Sequence, residues 1–290
     1  MISFLLIMLR QISKIKKGFR TVDGAGVSLV RVIGNADTKD YDPFLMLDAF
    51  DSTNPRDYMA GFPMHPHRGM ETITYLIEGE IEHQDSLGNK GVIHGGEAQW
   101  MTAGSGIIHQ EMPAAAPRML GAQIWLNLPK ANKMVDPAYG DIKKNDMPVV
   151  QIPGGELKII AGRFGNVTGA FKPKYVQANY FDIKLHPDAE FELNTDPNHN
   201  LFAYLFEGSA DFSGDEKGSQ VAEKQAVLFT KGDKLSIKAG HNGVRMIVLS
   251  APSLHEPVAW GGPIVMNTMD ELYATYDELD NDTFLKHKMK

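Results

Sequence analysis

No cysteine occurs among the 290 residues, which excludes disulfides, thiolate catalysis and every sulfur-ligated zinc or iron–sulfur site. Any transition metal must therefore be held by His, Asp or Glu. Basic residues are also short: 29 Lys and Arg stand against 36 Asp and Glu, a net charge of −7, which argues against a general nucleic-acid coat. Long apolar runs are absent too. The opening stretch Met1-Ile-Ser-Phe-Leu-Leu-Ile-Met8 is too short to span a bilayer and lacks the basic start and small-residue cleavage site of a signal peptide. It reads as an over-extended start with Met8 as initiator. The basic residues behind it, Arg10, Lys14, Lys16, Lys17 and Arg20, read as a solvated edge. No Walker loop, dinucleotide fingerprint or G-x-S-x-G elbow occurs. The chain reads as a cytoplasmic protein with no membrane role.

What the chain does have is strand pattern. Val27–Ile33, Thr72–Ile77, Leu157–Ile160, Phe181–Leu185, Phe202–Phe206 and Arg245–Ser250 are short, rich in β-branched and aromatic residues, and bounded by Gly or polar turns. Such spacing predicts an all-β sandwich or barrel. Only the end predicts a helix: Thr268-Met-Asp-Glu271 is a capping box, followed by Met269, Leu272, Tyr273, Tyr276 and Leu279 at helical spacing. An internal repeat is also present. Tyr75-Leu-Ile-Glu-Gly79 matches Tyr204-Leu-Phe-Glu-Gly208 at an offset of 129, and Glu97–Gly104 matches Gln225–Gly232 at an offset of 128. Two matches that keep register predict two related β-domains in tandem, 1–140 and 141–290, joined within Pro129–Gly140.

Two pairs carry candidate chemistry. His65 and His67 flank Pro66, and His109 and Glu111 flank Gln110. Residues two apart on a strand share a face, so two such strands facing across a barrel would gather three imidazoles and a carboxylate. A sulfur-free nitrogen and oxygen set suits Fe(II), Mn(II), Ni(II), Cu(II) or Zn(II), and leaves positions open on an octahedral ion. Either pair alone is commonplace, but both lie in the same repeat, beside strands and glycine-rich turns. The second repeat acts as a control. Carried forward by the repeat offsets, the four positions become Asn194, Asp196, Ile237 and Ala239, which offer no equivalent site. Glu71 competes with Glu111, because His65-Pro-His67-Arg-Gly-Met-Glu71 also has the spacing H-x-H-x3-E. His83 and His94 read as turn or surface histidines, and Arg68 as a salt-bridge residue. Phe62, Trp100, Met112 and Trp125 read as core.

His65-Pro-His-Arg-Gly-Met-Glu-Thr-Ile-Thr-Tyr-Leu-Ile-Glu-Gly79 resembles the signature of the pirin family, a branch of the bicupins. Gln99-Trp-Met-Thr-Ala-Gly-Ser-Gly-Ile-Ile-His-Gln-Glu-Met-Pro113 resembles its second half, and Gly262-Pro-Ile-Val-Met-Asn-Thr268 its C-terminal end. The likeness runs from about Gly24 to Leu128, loosens, and returns near the end. It implies two tandem cupin (jelly-roll β-barrel) domains with a C-terminal helix, and one divalent metal, usually Fe(II), in the first. It assigns His65, His67, His109 and Glu111 as ligands, and so favours Glu111 over Glu71.

Members of the family include quercetin 2,3-dioxygenases and proteins described as transcriptional or metabolic regulators. The leading expectation is therefore a metal-dependent dioxygenase that opens the heterocycle of a flavonol such as quercetin with O2, Glu111 accepting the substrate's hydroxyl proton. The alternative is a metal-dependent module that docks a transcription factor or metabolic enzyme. A third reading is non-oxidative zinc chemistry, such as an isomerase.

Overall fold

A computed structural model describes residues 8–212 and 220–287 of the chain; the apolar stretch before Met8 lies outside the described residues. Two compact units result, and neither is continuous in sequence. Phe19–Asp146 joins the chain from Leu254 onward, and Met147–Ser253 joins the chain up to Gly18. The division therefore falls at Asp146 rather than 140, and both ends belong to units that sequence order would not assign them. Strand pairing explains the first crossover: Ile12–Lys17 lies antiparallel to Gln225–Phe229 as an edge strand. The tail is held in the other unit, where Ile264 bridges Arg68 and the Val265 N–H donates to the Arg68 carbonyl at 3.0 Å.

The unit around Phe19–Asp146 has a seven-stranded sheet, ordered Ala138–Ile142, Ala98–Thr102, Met70–Glu78, Met119–Asn127, Phe44–Ser52, Val27–Ile33, Phe19–Asp23. A four-stranded sheet runs Phe62–His67, Ile107–Pro113, Glu80–Asp85, Lys90–His94. Val27, Leu29, Phe50 and Leu76 of the larger sheet pack with Ile81 and Ile93 of the smaller. Each such side chain, fully buried, contributes about 1.5–3 kcal/mol. The predicted helix forms as Met269–Asp280, capped by Thr268, whose hydroxyl accepts from the Glu271 N–H while Glu271 accepts from the Thr268 N–H. Among the described residues no helix is long and apolar enough to cross a membrane.

The other unit has a nine-stranded antiparallel sheet built on His199–Asp211 and Lys234–Pro252. The repeat survives at the level of pairing. Tyr75 lies opposite Ala98, and its counterpart Tyr204 lies opposite Ala226. The strand Glu190–Asn194 pairs with Lys234–Pro252 much as Phe62–His67 pairs with Ile107–Pro113. Between the paired strands Leu193 faces Leu235 and Phe191 faces Ile237, all four in the unit's apolar core. Where one unit carries imidazoles, the other carries hydrocarbon.

Candidate metal centre

The strands Phe62–His67 and Ile107–Pro113 pair antiparallel with His109 opposite His65 and Ile107 opposite His67. Strand alternation then turns His65, His67 and His109 to one face. One nitrogen from each lies within 4.8 Å of the others. The hydrogen bonds behind them fix which nitrogen points inward. His65 Nδ1 donates to the Pro63 carbonyl at 2.8 Å, and His67 Nδ1 to the Pro263 carbonyl at 3.0 Å. Carbonyls only accept, so each Nδ1 carries a proton and the two Nε2 atoms turn inward, 3.0 Å apart. His109 Nε2 is buried and has no hydrogen-bond partner. Burial, together with the neighbouring His65, pulls His67 down to about 3, and burial with the other imidazoles pulls His109 well below its usual value. Three convergent imidazoles, two of them held neutral by burial and one with an unpartnered nitrogen, fit a bound divalent metal.

Glu111 is buried and lines the same cavity as His65 and His67, but its carboxylate is not among the clustered nitrogens. Three donors hold it. Oε1 accepts from the Thr74 hydroxyl at 3.0 Å and from the Gln99 amide, and Oε2 accepts from the Gln123 amide at 2.7 Å. Trp125 Nε1 donates to Gln123 Oε1 at 3.2 Å, which fixes the orientation of that amide. A carboxylate accepts about four hydrogen bonds, so one position on Oε2 stays open.

Glu71 lies elsewhere. Gly69, at φ +80°, breaks the strand after His67, so parity does not carry across to Glu71. Glu71 lies in the larger sheet opposite Leu126, on the other face of its strand from Thr74, which touches Glu111. The Thr102 hydroxyl donates to it at 2.7 Å, and burial raises it to about 7.

The cavity, about 750 Å³, lies within the unit around Phe19–Asp146 and is walled by Phe62, Trp125 and Trp260, with an ion-pair cluster of Arg31, Asp23 and Asp48 on its lining. Trp125 packs edge-on to His67 at 5.0 Å and against Trp260 at 5.6 Å. Phe62 and Trp125 line the cavity, and Trp125, like Trp100, also lies in the core as read from sequence. His83 corrects its reading: it is buried and packs against His109, not on the surface. His94 is exposed, paired with Glu80 at 3.0 Å. Arg68 is buried and pairs with Glu278 at 2.6 Å, as a salt-bridge residue should. Sequence reasoning missed Gln99, Gln123, Trp260 and the Pro263 carbonyl. Their signals were alternation with Trp125 for Gln123, and the Gly262–Thr268 motif for Pro263.

Comparison with known proteins returns the Pirin family over residues 26–126 and the Pirin C-terminal cupin domain over residues 180–285. A Pseudomonas aeruginosa protein named "Putative quercetin 2,3-dioxygenase" is 40% identical, covering 91% of this chain and 94% of its own length. A "Pirin-like protein" of Caulobacter vibrioides is 39% identical, covering 95% of this chain and 99% of its own. Among solved structures, a quercetin 2,3-dioxygenase from Acinetobacter baumannii superposes with a TM-score of 0.86 at 28% identity, over 95% of this chain and 98% of that one.

Proposed function

This chain belongs to the pirin family, and we propose that it is a metal-dependent dioxygenase acting on a flavonol such as quercetin, with O2 as co-substrate. The carrying observation is the convergence of three imidazole nitrogens, one of them the unpartnered His109 Nε2, beside a cavity walled by aromatic rings. His65, His67 and His109 would hold the ion, and Glu111 would be the proton acceptor. The family resemblance points to Fe(II), and the nitrogen and carboxylate donors suit Mn, Ni, Cu and Zn as well. When bound, the metal supplies Lewis-acid activation of the substrate hydroxyl and the electronic means of its reaction with O2.

The protein's own residues do the rest. Phe62, Trp125 and Trp260 form an apolar wall against which a planar polyphenol stacks, in a volume typical of small-molecule sites. Glu111 Oε2 has one acceptor position left, which receives the proton of the flavonol 3-hydroxyl. Thr74, Gln99 and Gln123 keep that carboxylate from swinging. The Pro63 and Pro263 carbonyls hold two of the imidazoles at fixed tautomers.

The test is an oxygen electrode with quercetin and Fe(II)-loaded protein, with headspace analysis for carbon monoxide. The proposal requires oxygen uptake, carbon monoxide release, and loss of both metal and turnover in His67→Ala. Glu111→Gln should slow uptake about 10²- to 10⁴-fold. Metal-loaded protein inert towards every flavonol tried, or full turnover in His67→Ala, would defeat it.

A further inference from the structure

We propose that His83, carried by Asp85, is a positioning residue: it holds His109 in the tautomer whose Nε2 lone pair faces the metal. The inference rests on the metal reading above and adds two residues outside the ligand set. Both lie on the strand Glu80–Asp85, which pairs with Ile107–Pro113 so that Asp85 is opposite His109 and His83 opposite Glu111. Neither side chain is exposed to solvent.

The chain of donors can be followed atom by atom. Asp85 Oδ1 accepts from the N–H groups of Leu87 at 2.9 Å and Asn89 at 3.0 Å, and Oδ2 accepts from Asn89 Nδ2 at 2.8 Å. Oδ2 also lies 3.2 Å from His83 Nε2. A carboxylate so supplied with donors only accepts, so His83 Nε2 carries a proton and gives it to Asp85. The His83 ring lies flat on Tyr139, with centroids 3.8 Å apart and planes 11° off parallel, which holds it against rotation. With its proton on Nε2, the His83 ring presents a lone pair on Nδ1. That atom is 3.5 Å from His109 Nδ1, at the long edge of hydrogen-bonding range. His109 Nδ1 is therefore the donor, and the orphaned Nε2 keeps its lone pair. His65 and His67 are fixed by backbone carbonyls; His109 has this side-chain relay in their place.

Two variants separate tautomer control from packing. His83→Phe keeps the ring stacked on Tyr139 but removes the acceptor. Asp85→Asn keeps the shape but offers an N–H to His83 Nε2. That reverses the His83 tautomer, turns His109 Nδ1 into an acceptor and leaves a proton on His109 Nε2. Co(II) titration followed by d–d absorption should show affinity falling about 10- to 100-fold in each variant. Imidazole ¹⁵N NMR of the metal-free protein should find His109 protonated on Nδ1 in the wild type and on Nε2 in Asp85→Asn. The wild-type spectrum alone decides the tautomer should either variant fail to fold. Wild-type Co(II) affinity and absorption in both variants, or a wild-type His109 protonated on Nε2, would overturn the relay. A wild type that ignores Co(II), or a His67→Ala that binds it equally well, would instead overturn the metal reading beneath it.

Discussion

Glu71 and Glu111 are both buried acids close to the histidine motifs, and only backbone geometry separates their roles. Sequence parity placed Glu71 with His65 and His67, but parity is meaningful only along an unbroken strand, and Gly69 interrupts it. Glu71 has a different consequence. Burial raises it to about 7 from 4.5. Between those pH values the folded chain binds more protons than the unfolded one, so stability is fully present below about pH 4.5 and declines as pH rises to about 7. The loss is on the order of 3 kcal/mol. Glu71→Gln should remove that slope, so denaturant midpoints of the variant at pH 4.5 and 7.5 should differ less than those of the wild type. An unchanged slope would reassign the pH dependence to other groups. The His65 and His67 pair was legible because i, i+2 spacing on a strand needs no distant information. Gln99 and Gln123 were not, because each reaches Glu111 from a separate strand of the larger sheet.

Among the elements, the short strand Ile264–Met266 matters most to the site, because the turn just before it supplies the Pro263 carbonyl to His67. A buried lysine ties it to the turn after His67. Lys133 Nζ is buried and donates to the Gly69 carbonyl at 2.7 Å and the Val265 carbonyl at 2.9 Å. Gly69 leaves room for this approach, since a Cβ there would sit 1.9 Å from the Val265 oxygen. Gly69→Ala should cost about 1–3 kcal/mol from the positive φ alone, with more from displacing the strand, and should weaken metal binding with it. Gly140→Ala is the control: nothing lies within 4 Å of its added Cβ, so thermal unfolding should barely move. Equal melting temperatures for the two variants would show that the strand tolerates displacement. The helix and its capping box were readable because both are local patterns. Ile264–Met266 was readable only as a family motif, since three residues carry too little periodicity to announce a strand.

At the scale of the whole molecule, duplication was legible and the assignment of the ends was not. Repeats show as self-similarity, but pairing of Ile12–Lys17 with Gln225–Phe229 is a contact across most of the chain and leaves no local trace. Arg10 shows what that crossover secures. It is fully buried, with Nε donating to the Thr195 hydroxyl at 2.8 Å and its other nitrogens to the carbonyls of Thr230, Asp196 and His199. Arg10→Ala strands those acceptors and should cost roughly 1–3 kcal/mol. Since the second unit has an apolar core where the first has imidazoles, metal content should be untouched in this variant. A fall in bound metal would show that the two units do not act separately.

The account stands on a cation held by His65, His67 and His109. Elemental analysis after anaerobic equilibration with Fe(II) and gel filtration measures it directly. The prediction is one ion per chain in the wild type and almost none in His67→Ala or His109→Ala. A metal-free wild type, or undiminished metal in both variants, would contradict it.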